Sequence, residues 1–558
     1  MAPTAIEALP DGLAEALASP AAHPEDVAAG QGIEHRQTHI SHLYLTRDRV
    51  YKLRKAVDLS FLSFASREAR NADCLAEVAL NRRLAPDVYL GLAPVLPGPE
   101  GGFVLGPPGE TCLTPAGAAR PAEHCVVMRR LPEGRDAQTL LERGALLPSQ
   151  IDRLAALIAR FHASVGLGRP APWSPEAWIE RVERPVAASF ALARDADGDV
   201  LDPGELERLE RAMHGLLERD RARFLARREE GRVVEGHGDL HLDAVWYEHD
   251  DADPVVIDCL EFDRDLRRVD AAAELAFFAM DAAYRGRADL GERLLGRYAA
   301  EADDYGLYGV VDYHILHRAL VRASVAALAT QEPEIESEQR AAAAQSARRH
   351  LALMGSWLDR PRSPALLVVT GLPGTGKSTA AAAAAAAIGG VVIASDRVRK
   401  HLAGVAPRAH PADVPGGGLY QAEMTESVYT ALLERAEAPL ASGRPVVLDA
   451  TYARRDHRDA ARAFARRHRV PARLLDVRCD EPKTLERLRA RLQDESRISD
   501  AGPEVYRALR DRYQAPTEWG ADESIVVRTD EVDWMGALTA RLQPQPRRST
   551  QQHQEPKP

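Results

Sequence analysis

Lysine is scarce in this chain. Among 72 basic residues in a length of 558, the lysines are Lys52, Lys55, Lys377, Lys400, Lys483 and Lys557, and arginine carries the remaining positive charge. An ammonium is a compact point charge and a guanidinium a planar fork, so a lysine kept where arginine is the habit marks a position worth examining. Cysteine is scarcer still. Cys74, Cys112, Cys125, Cys259 and Cys479 lie far apart with no Cys-x-x-Cys pair, which excludes a disulfide framework or zinc ribbon and fits reduced thiols. There is no basic excess either: 83 acidic residues give a net charge of -11. That argues against nucleic acid or an anionic membrane as partner, since both reward a basic surface. Long hydrophobic runs are absent. The longest weakly polar stretch, Ala380 to Ala394, is mostly alanine, is broken by Gly389 and Gly390, and reads as a helix followed by a strand. The opening MAPTAIEALPDGLAEAL lacks the basic start and apolar core of a signal peptide. A cytoplasmic protein with no membrane partner is the expectation.

What is present is ordinary globular material, 45% hydrophobic and 28% charged, long enough for two or three domains. Residues 1–33 read as an Ala- and Pro-rich extension. From Thr38, HLYL and RVYKL are strand-like with a turn at Thr46 to Asp48, and a helical stretch spans Ser66 to Leu84. A Pro/Gly-rich segment then runs from Leu90 to Gly109, followed by a short apolar strand at Cys125 to Met128. Helical patterns cover Pro148 to Val165, Pro203 to Glu230 and Ala271 to Asp281, with VVIDCLEF strand-like before the last and further helices to Ala329. A charged, Ala-rich and finally Pro-closed segment at about 336–363 reads as a linker helix. After it LLVVT, VVIA, PVVLD, ARLLDV and SIVV alternate with helical segments, the signature of a parallel sheet with helices on both faces. The polar tail, 543–558, is expected to be disordered.

The sharpest motif is GLPGTGKST, from Gly371 to Thr379, directly after a strand and before a helix. Gly371, Gly374 and Gly376 let main-chain amides wrap phosphates, and the helix N-terminus adds partial positive charge, so this is a P-loop for ATP with Mg²⁺. Thr375 and Thr379 complete the loop. Lys377 is expected on the β- and γ-phosphates and Ser378 on the metal. Two acids stand at strand ends, where open sheets place ligands. Asp449 ends PVVLD and suits the metal; Asp396 opens SDRVRK and suits a base for an attacking hydroxyl, or simply a helix cap. Arg399 or Lys400 could steady the acceptor. Arg487, Arg491 and Arg497, at helical spacing before a polar loop, suit a lid or an ordinary charged face. GLPGTGKST, SDRVRK, VVLDATY and RLQDESRISDA together resemble the small P-loop kinases of the gluconate-kinase and polynucleotide-kinase-like group over about 364–540. That resemblance implies an ATP-dependent kinase core without fixing the acceptor.

The first half carries a second set. GHGDLHL places Asp239 in a loop, and Asp258 follows 19 residues later after VVI. One acid to take a hydroxyl proton and one to hold metal is the arrangement phosphoryl transfer uses. Lys52 on a strand and Glu77 on the next helix could hold nucleotide phosphates. THISHLYL, VYKLRK, CLAE, LNRRLAPDVYLG, VVMRRL, GHGDLHL and DCLEFD resemble the aminoglycoside phosphotransferase family, and the whole chain resembles bacterial proteins that join such a domain to a P-loop kinase. The resemblance implies a protein-kinase-like α+β domain over 34–335 and a P-loop α/β domain over 364–542. It makes Lys52 and Glu77 the nucleotide pair, Asp239 the base, Asp258 the metal ligand and Asp270 a brace. One position departs from it: the family's second metal-binding Asn would fall at 244, where this chain has Ala244, with Asp243 beside it. An active domain with altered metal binding, a domain that binds without catalysis and a purely structural domain all remain open. His237 and His241 read as loop-packing residues.

The leading expectation is therefore a small-molecule kinase acting on a hydroxyl acceptor. The alternatives are an ATP-binding regulatory protein with little transfer, and a polynucleotide 5′-end kinase, which the net charge disfavours.

Overall fold

The computed structural model describes residues 6–23, 32–59, 62–98, 101–109, 122–196, 200–331, 336–405, 421–493 and 501–542. Arg497, Asp500 and the tail 543–558 lie outside these residues. The chain forms two compact units. One comprises Met1–Leu295 with Val311–Gly355; the other comprises Ser356–Pro558 and also takes in Gly296–Val310.

The first unit begins with a six-stranded antiparallel sheet in the order Glu34–Gln37, Ser41–Leu45, Arg49–Arg54, His124–Arg129, Tyr89–Pro97, Phe103–Leu105. Period-2 alternation decides its faces. Tyr44, Tyr51, Leu53, Cys125 and Val127 pack with Leu13 and Leu17, so the segment read as an extension supplies core. Val126 packs on the other face with Cys74 and Val78 of the helix Arg67–Asn81. Lys52, between Tyr51 and Leu53, therefore points to the face this helix covers, and Glu77 is on that helix. The Ser66 hydroxyl caps the helix by accepting from the Ala69 amide at 3.1 Å.

The rest of this unit is mostly helical, with long helices at Pro148–Ser164, Pro175–Asp195, Pro203–Glu229, Ala271–Tyr284 and Val311–Ala329 and two short two-stranded sheets, Val233–Glu235 with Arg268–Asp270 and Val245–Trp246 with Val255–Val256. The reading of the second of these helices was missed, because its polar face and internal Pro185 hide its period. Ala271–Tyr284 is buried along nearly its whole length, as its unbroken apolar run requires. Two stretches depart from the sequence expectation. VVIDCLEF is a strand only at Val255–Val256, because Asp258 turns the chain with φ of 66°. The Pro/Gly-rich stretch from Leu90 is mostly strand, its prolines lying near the sheet margin.

The second unit holds a five-stranded, wholly parallel sheet in the order Val391–Ala394, Val446–Asp449, Leu366–Thr370, Ala472–Arg478, Ser524–Arg528. Both faces are covered, so its strands read as continuous Val and Leu. Leu367, Val369, Val447, Leu475 and Val527 pack against the alanine face of the helix Lys377–Ile388 and Leu538 of Trp534–Leu542. Leu366, Val368, Val446 and Leu474 point the other way and are equally buried. Each such side chain withdrawn from water contributes about 1.5–3 kcal/mol. The chain leaves Leu366–Thr370 for one edge and returns to build the other, so the crevice for a ligand opens at the carboxyl end of this strand. Among the described residues no helix is long and apolar enough to cross a membrane.

Candidate active sites

At the carboxyl end of Leu366–Thr370 the backbone turns at once. Gly371 has φ of 146°, and a Cβ there would stand 2.4 Å from the Val477 carbonyl oxygen, so no other residue fits. Gly374 and Gly376 take positive φ, and the helix starts at Lys377, three residues earlier than its alanine run suggests. The N-terminus of that helix, whose first amides have no acceptor within the helix, thus opens on the loop. Thr375 does not face outward: its hydroxyl donates to the Leu372 carbonyl at 2.8 Å and stiffens the loop. Lys377 Nζ donates to the same carbonyl at 2.9 Å. Ser378 and Thr379 are exposed at the mouth.

Asp449 is buried at the end of its strand and accepts a hydrogen bond from Ser378. Burial raises its carboxyl above the usual range, against the pull of Lys377. Burial likewise lowers the Lys377 ammonium, while Asp449 and Asp396 pull it back. These three side chains are electrostatically one group. Asp396 lies in the first turn of the helix Ser395–Leu402, whose cap is Ala394, so the cap alternative does not describe it. Arg399 and Lys400, on the same helix, are both buried.

The arginines after the fourth strand separate by role. In the helix Glu481–Leu492, Thr484 and Leu488 press on Gly374, where a Cβ would meet them at 2.9 and 2.7 Å. Arg491 extends that face by one turn, and its charge is felt by both Lys377 and Asp449. Arg487 instead donates to the Thr529 hydroxyl at 2.8 Å and to its carbonyl at 3.0 Å. The Thr529 hydroxyl in turn donates to the Thr375 carbonyl at 2.7 Å, so this pair buttresses the phosphate loop. Sequence reasoning missed Thr529. Its signal was its place just past SIVVR, at the sheet edge where ligands lie.

A second cluster forms in the first unit. Lys52 Nζ lies 2.9 Å from Glu77 and 3.5 Å from Asp258, the latter 206 residues away in sequence, so two acids share one ammonium. Lys52 pulls the Asp258 carboxyl below its ordinary value despite burial. Arg54, on the same sheet face, binds Glu77 at 2.7 Å, Asp73 and Glu261. The acids Asp73, Glu77 and Glu261 thus surround a guanidinium, and burial with Glu77 nearby pushes Glu261 up to about 7.

Asp239 sits in a loop held by the buried Glu274, which accepts from the His237 amide and, at 3.0 Å, from the Gly238 amide. His237 Nε2 meets the Ile257 carbonyl at 2.8 Å, a packing role. His241 lies between two carboxylates, with Nε2 3.1 Å from Asp239 and Nδ1 against Asp243. Burial opposes its protonation, but the hydrogen bonds to Asp239 and Asp243 outweigh that and push it up to about 10. Asp243 is thereby turned toward His241, and Ala244 is buried with no ligand atom on its side chain. Asp270 caps the helix Ala271–Tyr284 through the Ala272 amide at 2.7 Å and is gripped by Arg227 at 2.7 Å.

The second unit is a P-loop nucleotide-binding domain of AAA type: residues 366–516 match the family model described as "AAA domain". The chain as a whole belongs to the family of an uncharacterized protein of Mycobacterium tuberculosis, with which it is 32% identical over 444 residues, spanning 80% of this chain and 83% of the relative. Among solved structures, a gluconokinase from Sinorhizobium meliloti aligns with 33% of this chain and 91% of its own at 21% identity and a TM-score of 0.23. A choline/ethanolamine kinase family protein from Mesorhizobium loti aligns with 61% of this chain and 98% of its own at 15% identity and a TM-score of 0.34.

Proposed function

We propose that this protein is an ATP-dependent phosphotransferase that moves the γ-phosphoryl group of ATP to the hydroxyl of a small molecule, with the P-loop unit as the principal catalyst. The observation that carries this reading is the grouping of Lys377, Ser378, Asp449 and Asp396 at one end of the parallel sheet, beside the glycine loop and the N-terminus of the helix Lys377–Ile388. Ser378 and Asp449 offer a hydroxyl and a buried carboxylate already joined by a hydrogen bond. Such hard oxygen donors fit Mg²⁺, and they are the residues that would hold it. When bound, Mg²⁺ supplies neutralising charge to the phosphate oxygens.

The chain's own residues do the rest. The loop amides and Lys377 hold the phosphates and offset the charge that spreads over the transferred group. Asp396 accepts the proton of the acceptor hydroxyl as its oxygen bonds to the γ-phosphorus and ADP leaves. Arg491 completes the cation set from the helix above Gly374. Small P-loop kinases of this type act on metabolites, and the net charge of -11 favours such an acceptor over a polynucleotide. Lys377→Ala tests the assignment: turnover of Mg-ATP by the intact chain should fall ~100-fold or more. Unchanged turnover would remove Lys377 from the mechanism.

A second reading applies to the first unit alone. Its Lys52, Glu77, Asp258 and Asp239 suit nucleotide and acceptor binding, yet Ala244 supplies no second metal ligand and Asp239 is engaged by His241. Slow transfer, or regulatory binding of ATP with little transfer, fits those two features better than efficient catalysis.

A further inference from the structure

Near Asp239 the first unit holds two arginines, Arg318 and Arg322, whose charge Asp239 feels without an ion pair in contact. The helix Val311–Ala329 carries Arg318 and Arg322 one turn apart, on one face. Both guanidinium carbons lie over the ring of Phe277, at 4.9 and 5.0 Å from its centroid. Phe277 also meets His241, ring centroids 5.5 Å apart, and His241 Nε2 is 3.1 Å from Asp239. Asp239, His241, Phe277 and the two arginines therefore form one continuous wall.

Neither arginine has a hydrogen bond, nor a carboxylate within 4.0 Å, among the described residues. That is unusual in a chain with more acids than bases. Other arginines of this unit are matched by acids: Arg285 binds Asp281 and Glu142, and Arg227 binds Asp270. Both unmatched side chains are only half-buried, so their forks reach solvent. A cation–π contact holds a guanidinium in place without using its N–H donors. Two adjacent forks fixed by one ring, with ten donors free, make a surface complementary to an oxyanion. Burial lowers the Arg318 guanidinium and Arg322 beside it adds to the shift, while Asp239 and Glu274 oppose it.

We propose that Arg318 and Arg322 form the acceptor-binding site of the first unit, and that its acceptor is a hydroxyl compound bearing a phosphate or carboxylate group. The anion seats on the two forks over Phe277, and a hydroxyl of the same molecule reaches Asp239. Phosphoryl transfer then breaks the bond between the β,γ-bridging oxygen and the γ-phosphorus of ATP, forms a bond from the acceptor oxygen to that phosphorus, and leaves the hydroxyl proton on Asp239. The transfer step rests on the second reading above; the anion site stands on the arginines alone.

The test uses the full chain carrying Lys377→Ala, so that the P-loop does not report. Glycerol 3-phosphate and glycerate serve as anionic probes, glycerol as the neutral one and choline as the cationic one. Calorimetry should show saturable binding of an anionic probe and none of glycerol or choline. Replacing both arginines by Gln should weaken that binding about 100-fold, since charge-assisted hydrogen bonds to both forks are lost. Replacing both by Lys should restore part of it, which misfolding of the Gln variant would not allow. Anion binding with no transfer from Mg-ATP by phosphorus NMR while Asp239 is intact would uphold the anion site and remove the catalytic reading. Binding of choline or glycerol in preference, or anion binding indifferent to the arginine-to-Gln changes, would overturn the proposal.

Discussion

On the proposed reading the two units meet the same problem, holding polyphosphate, with opposite means. In the P-loop unit the anion cradle is main chain, set by glycines where a buried strand becomes a helix. Its one lysine turns back onto the loop's own Leu372 carbonyl. In the first unit the cradle is side chain: Lys52 is already shared between Glu77 and Asp258, and the Asp239 loop hangs on a buried carboxylate, Glu274. A backbone cradle is specified by local conformation and tolerates drift around it. A side-chain cradle depends on partners far apart in sequence, and a position such as Ala244, which offers no ligand atom, can alter its proposed chemistry while leaving the scaffold standing.

The contrast can be broken most forcefully at Glu274. Glu274→Ala strips two buried amides of their acceptor and should destabilise the Asp239 loop by about 3 kcal/mol or more. Hydrogen exchange at the His237 and Gly238 amides should quicken accordingly, with P-loop amides unaffected. Unaltered protection there would mean the loop is held by something else. Next in size is the missing ligand. In the Lys377→Ala background, Ala244→Asn should raise Mg-dependent transfer by the first unit about 10-fold, the lower end of what a single group in a metal's surroundings commonly contributes. No gain, with the variant folded, would show that the vacant side chain at 244 is not what restrains this unit.

The smallest effect concerns pH. His241 has a folded value raised to about 10 against an ordinary value near 6.5. A raised histidine stabilises most below its unfolded value, so its contribution is full below about pH 6.5 and fades as pH climbs toward 10. The first unit should lose stability over that interval, and His241→Gln should flatten the loss. NMR of the imidazole should find it still protonated at pH 8; a neutral ring there would contradict the paired-carboxylate picture.

These differences also explain what the sequence disclosed. The parallel sheet was legible strand by strand, because strands buried on both faces are runs of Val and Leu bounded by glycine and charge. The P-loop was legible because glycine spacing is itself the structure. Lys52 and Glu77 could be paired in advance through family likeness and the scarcity of lysine. Thr529, Glu274 and the Arg318–Arg322 pair could not, since each acts across more than 30 residues of sequence on a partner that no local pattern names. Asp258 was found although its strand was overextended: a left-handed aspartate ends the strand, and alternation of apolar residues does not reveal that.

The central claim is that the main-chain cradle ending in Lys377 is the dominant ATP site of this protein. Calorimetric titration of the intact chain with Mg-ATP, beside its Lys377→Ala and Lys52→Ala variants, tests it directly. The account predicts that the tighter binding heat survives in Lys52→Ala and disappears in Lys377→Ala. The reverse pattern, or tight binding undiminished in Lys377→Ala, would contradict it.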